Sequence, residues 1–266
     1  MSTDCLDTSD EQQLLQEWTD RTVRWIGSIV EEAGCVGTVV GVSGGIDSAV
    51  TAALCVRATP DNALAAILPC ESLPEDTEDA RLVVDSLDME SILIDLDEAY
   101  HSLVSQLPLG EPTRRDISLS NVKPRLRMTT LYYLAQSRNS LVVGTDNRAE
   151  LYLGYFTKYG DGGVDIMPMA RLSKGQVRTV ARYLGIPDKI IDRPPSAGLW
   201  PGQTDEKELG ISYDDIDRYL LHGEADEDVK QQIEGIHRAN EHKLTVPPIP
   251  PFDLSKELVS SGRGEA

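Results

Sequence analysis

The residues best suited to chemistry lie together in one run, Gly41-Val42-Ser43-Gly44-Gly45-Ile46-Asp47-Ser48. Two adjacent glycines carry no Cβ, so a polyphosphate can come close to the backbone and accept hydrogen bonds from its N–H groups. Ser48 opens an apolar stretch over residues 49–56. A helix starting there would add free N–H donors and a partial positive charge aimed at the same anion. Asp47 would repel a bare phosphate, and its natural place is on a Mg²⁺ ion that bridges to the phosphate oxygens. The run therefore reads as a site for the phosphates of ATP. It is not a Walker A loop, since no lysine follows the glycines, and no G-x-G-x-x-G dinucleotide fingerprint occurs. The plain alternative is a glycine turn that only joins a strand to a helix.

The elements that must position this run are legible around it. Residues 36–42 form an uncharged, β-branched strand of the kind covered on both faces. Ser9 to Gln12 has capping-box spacing, and Leu15, Trp18, Thr22, Trp25, Ile26 and Ile29 recur at helical intervals, with the tryptophans expected in the core. After the run come a strand at 63–68, a helix at about 75–87 and a strand at 91–96. That alternation predicts an α/β fold, a doubly wound parallel sheet flanked by helices, with ligands at the carboxyl ends of the strands where their order reverses. Residues 107–120 read as a loop. A helix starts near Pro124 and reaches about residue 138, a fourth strand spans 140–144, and a glycine-rich loop covers 154–163. A capping box begins a helix over 173–184, residues 193–209 read as a mobile loop, and two short acidic helices follow. The whole chain, 1–266, is expected to be one domain, with a tail from about 245 that is extended or disordered. If the sheet is parallel, the turn after the fourth strand opens beside Ser43 to Ser48. Glu150 is then either a second Mg²⁺ carboxylate or a solvated helix residue.

Composition narrows the field. A chain of 266 residues suffices for one well-buried α/β domain and is too short for two full enzymes. The 44 acidic against 25 basic residues give a net charge of −19, which argues against nucleic acid and anionic membranes as partners. A polyanion site must then be built from locally concentrated cations. The acidity is either ordinary surface solvation or, with so few lysines, a mark of a protein suited to concentrated salt. Cys5, Cys35, Cys55 and Cys70 have no metal or redox spacing and fit reduced thiols in a cytoplasmic protein. No apolar run is long enough to span a membrane, and no export signal is evident.

Ser43-Gly44-Gly45-Ile46-Asp47-Ser48 resembles the PP-loop of the ATP pyrophosphatases, which cut ATP between its α and β phosphates. A closer resemblance follows from Asn121 to Met128, from Gly144-Thr145-Asp146, from Gly154-Tyr155-Phe156-Thr157-Lys158-Tyr159-Gly160-Asp161-Gly162-Gly163, and from Asp205 to Ile211. These segments, in this order, are similar to the signature segments of ammonia-dependent NAD synthetases. The resemblance runs to about residue 243, and the loop from Ser196 to Gln203 is closer to the archaeal branch of that family.

The resemblance implies an enzyme that activates the carboxylate of deamido-NAD with ATP and lets ammonia displace AMP, working as a homodimer. It implies ATP contacts at Gly41 to Ser48, Thr145, Lys174 and Ser196, and deamido-NAD contacts at Arg125, Lys158, Asp165, His242 and Lys243. Asp47 and Glu150 would hold Mg²⁺. Lys174 would act on the phosphates during the reaction. Asp165 either orients or deprotonates the incoming ammonium, or is only a supporting hydrogen-bond acceptor. Lys123, Arg125 and Arg127 are either the local basic cluster that a polyanion requires or solvated helix residues. Ile67 and Cys70 replace an Arg and an aromatic or His of bacterial relatives, so no adenine or ribose contact is carried over to the second strand. Two other readings fit the glycine turn alone: a PP-loop enzyme acting on another substrate, and a nucleotide sensor.

Overall fold

The computed structural model describes residues 8–108, 117–196 and 204–251. Helix α1 (Thr8–Glu32) leads into strand β1 (Gly37–Gly41), helix α2 (Ile46–Ala58), strand β2 (Ala63–Ile67), helix α3 (Pro74–Ser86) and strand β3 (Ser91–Leu93). Helices α4 (Asp97–Val104), α5 (Ile117–Ser120) and α6 (Val122–Ser137) precede strand β4 (Ser140–Val143). Helices α7 (Arg148–Leu153), α8 (Lys174–Leu184), α9 (Asp188–Ile191), α10 (Asp205–Leu209), α11 (Tyr213–His222) and α12 (Glu227–Leu244) complete the described chain.

The four strands lie in the order β3-β2-β1-β4, and every pairing is parallel. The chain steps outward from β1 to β3, then returns across the sheet to place β4 on the other side of β1. The order thus reverses between β1 and β4, which opens a crevice at their carboxyl ends. Register is fixed by pairs such as Thr38 with Ala63 and Gly37 with Ser140.

Alternation along the strands separates two cores. Val40, Ala65, Ile67 and Val143 face one side and pack under α1, α2 and α8 with Ile26, Leu54 and Val177. Val39, Leu64, Ala66 and Val142 face the other and meet Tyr100 of α4 and Leu134 of α6. Helix α2 is small-residue and apolar all round because it is enclosed on all sides, with residues from Ser48 through Cys55 buried. A third cluster, built on Leu153, Tyr213, Ile216 and Ile233, ties α7, α11 and α12 together.

Several expectations change in detail. Trp25 is 41 % exposed and Trp18 only partly buried, because the core stripe of α1 runs through Ile26 and Val30. The third strand is shorter than 91–96, although the Ile94 and Leu96 amides still donate to the Ile67 and Pro69 carbonyls. The 107–120 stretch contains the single turn of α5, with 109–116 outside the described residues. The 193–209 loop ends in α10, while 197–203 lie outside the described residues. Helix α12 has 18 residues and is not short. Of the tail, 245–251 form no regular element, and 252–266 lie outside the described residues. Among the described residues no helix is long and apolar enough to cross a membrane.

Candidate active site

A cleft of about 1060 Å³ opens at the β1/β4 edge, lined by the Ser43 turn, the start of α7, the glycine-rich loop and the residues after α9. Its floor is the turn itself. Ser43 and Ser48 hold the turn in shape: the Ser43 amide donates to Ser48 Oγ at 3.2 Å, and Ser48 Oγ donates to the Gly45 carbonyl at 2.9 Å. Gly45 caps α2 with extended backbone and leaves the helix N-terminus facing the cleft. Gly44 has a different task from the one its sequence suggests. With φ at +84°, it presses on the first turn of α3, where an added Cβ would sit 2.7 Å from Asp79 Cβ and 2.8 Å from the Asp76 carbonyl.

Lys174 is the centre of the charged cluster. Its buried Nζ lies 2.5 Å from Asp47 Oδ2 and 3.3 Å from Glu150 Oε1. Three supports hold this trio. Asn147 caps α7 through its side-chain oxygen, which accepts the Ala149 and Glu150 amides, while its Nδ2 donates to Asp47 Oδ1 at 3.0 Å. Asp217 of α11 accepts the backbone amides of Lys174 at 3.1 Å and Gly175 at 2.9 Å, which caps α8 from outside its own chain segment. Tyr213 donates its hydroxyl to Glu150 Oε1 at 3.2 Å and to Asp205 Oδ2 at 3.1 Å, and its ring lies 4.8 Å beneath the Lys174 ammonium.

The trio is electrically unbalanced. Burial pushes the Glu150 carboxyl up to about 7, against the pull of Lys174 and with the push of Asp47. Burial would lower Lys174, but the two carboxylates facing it outweigh that and hold its pKa above the ordinary lysine value. One ammonium thus serves two acids, and Glu150 holds its proton more tightly than an ordinary carboxyl does. Asp146, also in the cleft wall, is pushed well up by burial and then by Asp161, and its Oδ2 has no hydrogen-bond partner.

The opposite wall carries the cations. Arg125 donates from Nε and Nη2 to the Lys158 carbonyl at 3.3 and 3.2 Å, Lys158 Nζ donates to the His242 carbonyl, and Lys243 Nζ donates to the carbonyls of Gly154 at 2.8 Å and Phe156 at 3.0 Å. The end of α12 is thereby fastened to the glycine-rich loop.

A family model described as NAD synthase matches residues 18–247. The chain belongs to the NAD synthase family. It is 50 % identical over 236 residues to the NH(3)-dependent NAD(+) synthetase of Carboxydothermus hydrogenoformans, covering 88 % of this chain and 97 % of that protein. The archaeal enzyme of the same description from Archaeoglobus fulgidus is 44 % identical, covering 86 % of this chain and 94 % of its own length. Among solved structures, the NMN synthetase of Francisella tularensis aligns with a TM-score of 0.84 at 37 % identity, covering 90 % of this chain and 99 % of that one. The NH3-dependent NAD synthetase of Campylobacter jejuni aligns at 0.73 and 30 %, covering 89 % and 98 %.

Within this NAD synthase family member, the cleft gathers Gly41, Val42, Ser43, Gly45, Ile46, Asp47, Ser48, Arg125, Thr145, Glu150, Lys158, Lys174, Ser196, His242 and Lys243. Asp165 is not brought into it. Its Oδ2 accepts the Val142 amide at 2.8 Å and its Oδ1 accepts the Tyr132 hydroxyl at 3.0 Å, so within one chain it serves as a supporting acceptor at the end of β4. Lys123 and Arg127 are not solvated helix residues. Lys123 is buried in an ion pair with Glu71 at 2.9 Å, and Arg127 donates from Nε to the Leu68 carbonyl at 2.9 Å. Sequence reading missed the supports. Asn147 was available as the first residue of an Asn-x-x-Glu capping box, whereas Tyr213 and Asp217 reach the site only through packing of α11 and carry no local signal.

Proposed function

We propose that this protein amidates deamido-NAD with ammonia at the expense of ATP, yielding NAD, AMP and pyrophosphate. The observation that carries the reading is the Asp47–Lys174–Glu150 trio at the reversal point of the sheet, with Asp47 in the first turn of α2. A carboxylate is a poor electrophile, and its meeting with ATP brings two anions together. The protein must therefore concentrate positive charge where the α-phosphorus is attacked.

In this reading the Ser43–Ser48 turn and the α2 N-terminus donate N–H groups to the phosphates, and Thr145 and Ser196 add hydroxyls. Lys174 offsets charge on the phosphate oxygens as pyrophosphate leaves. The nicotinate oxygen bonds to the α-phosphorus, ammonia then attacks the carbonyl carbon, and the C–O bond breaks with its electron pair leaving on AMP. Arg125, Lys158, His242 and Lys243 would hold deamido-NAD on the opposite wall.

Asp47 and Glu150 are the residues that would hold a magnesium ion, since both place hard carboxylate oxygens in the cleft wall and share a single ammonium between them. Among the described residues no group of three His, Cys, Asp or Glu side chains converges as a metal cluster. Phosphate oxygens and water would complete the coordination. Bound there, Mg²⁺ would neutralise the phosphates during displacement. We further read the chain as one catalytic domain, working in the cytoplasm as a homodimer.

A second reading, with NMN as the product, takes its support from the alignment to the Francisella NMN synthetase. Incubation with ATP, Mg²⁺, ammonium and either deamido-NAD or nicotinate mononucleotide, followed by chromatography, separates the two. NAD, AMP and pyrophosphate in equal amounts are expected. Turnover of the mononucleotide alone would replace the first reading with the second, and ADP with phosphate would overturn both.

A further inference from the structure

Behind the phosphate turn stands an acidic helix start. Helix α3 begins Pro74-Glu75-Asp76-Thr77-Glu78-Asp79, and its first turn packs directly on Gly44. Asp79 is buried and Asp76 nearly so, with side chains 5 % and 17 % exposed. Left alone, these two carboxylates would oppose any polyphosphate seated on the turn, and low-polarity surroundings would strengthen the repulsion.

They are not left alone. Arg193, which follows α9 and lines the cleft, donates from Nη1 to Asp79 Oδ2 at 2.9 Å and pairs through Nη2 with Asp76 Oδ1. Lys189 adds an ion pair to Asp79 Oδ1 at 2.6 Å. Asp76 also caps its own helix by accepting the Leu73 amide on Oδ2 at 3.1 Å, so the carboxylate that Arg193 grips is fixed in place. The same arginine starts the Arg193-Pro194-Pro195-Ser196 segment. The Pro195 carbonyl of that segment accepts the Asp205 amide at 3.1 Å.

We propose that Arg193 is a positioning residue of the ATP site, which neutralises Asp76 and Asp79 behind Gly44 and so lets the turn accept the polyphosphate of ATP. It acts through the two carboxylates and does not need to touch the nucleotide. The proposal rests on the reading of this cleft as an ATP site. Its test does not depend on which acid is amidated.

Binding of α,β-methylene-ATP and of adenosine, each titrated calorimetrically with Mg²⁺ present, tests it. Arg193→Met should weaken the triphosphate analogue at least about tenfold, or about 1.4 kcal/mol, and leave adenosine within about twofold. Arg193→Lys should recover most of the loss. In an Asp76→Asn, Asp79→Asn background, Arg193→Met should cost less than about twofold, because nothing is left to neutralise. That triple variant also keeps the comparison open if Arg193→Met alone is unstable, since it carries no unpaired buried carboxylate. An undiminished loss in the double-Asn background, or parallel weakening of adenosine, would overturn the proposal. Failure of wild type to bind the triphosphate analogue would instead remove the ATP-site reading itself.

Discussion

Lys174 Nζ stands 2.5 Å from Asp47 Oδ2, joining residues 127 positions apart across the point where the sheet reverses. The contact exists because Asp217 caps α8 and Asn147 holds the far oxygen of Asp47, so neither partner reaches the cleft by side-chain flexibility alone.

Removal of either partner should therefore be severe. Lys174→Met would leave two buried carboxylates facing each other, with an expected stability loss of about 3–5 kcal/mol, whereas the double variant Lys174→Met, Asp47→Asn should recover part of it. Thermal melts of the two variants decide this. Both should form product at least about a hundredfold more slowly, since Lys174 is the cation proposed to offset charge on the phosphate oxygens. Equal melts would mean that the trio is not a coupled unit.

Glu150 makes stability depend on pH in a stated direction. Its folded-state pKa of about 7 lies above the ordinary glutamate value of about 4.3. Below the ordinary value the carboxyl is protonated in both states, and its contribution to stability is fully present. As pH rises toward 7 the unfolded chain releases the proton while the folded chain keeps it, so stability falls and the loss is complete above 7. In metal-free, nucleotide-free buffer, Glu150→Gln should gain in melting temperature on wild type as pH rises from about 5 to about 8. A constant difference across that range would contradict the account.

Asp165 should prove to be a stability residue within its own chain. Asp165→Ala orphans the Val142 amide in a buried strand and should cost about 1–3 kcal/mol. Urea denaturation measures the cost. If the variant is as stable as wild type yet fails to use ammonium, the base role, one of the two alternatives the sequence leaves open, is the one that holds.

The parts of the site that were legible in the sequence share a physical reason. The glycine turn, the strand before it and the apolar helix after it are local patterns, and parallel pairing then places Glu150 beside Asp47. Lys174 was legible for the same reason, as the first residue after the capping Ser173. What was missed depends on contacts between distant segments. Gly44 serves the approach of α3, Asp217 caps a helix from another element, and Tyr213 bridges Glu150 to Asp205 from the third core cluster. Trp25 was misplaced because helical periodicity marks a broad stripe, and which edge of it faces the core depends on how α1 lies against α2.

The most direct test of the central claim follows one atom. Deamido-NAD labelled with ¹⁸O in the nicotinate carboxylate should be converted, with ATP and ammonium, to NAD and AMP in which the AMP phosphate carries one ¹⁸O and pyrophosphate carries none. That outcome requires the carboxylate oxygen to have attacked the α-phosphorus and to have left with AMP. Label in pyrophosphate or inorganic phosphate, or its retention at full level in the dinucleotide, would contradict adenylylation and with it the function proposed for this cleft.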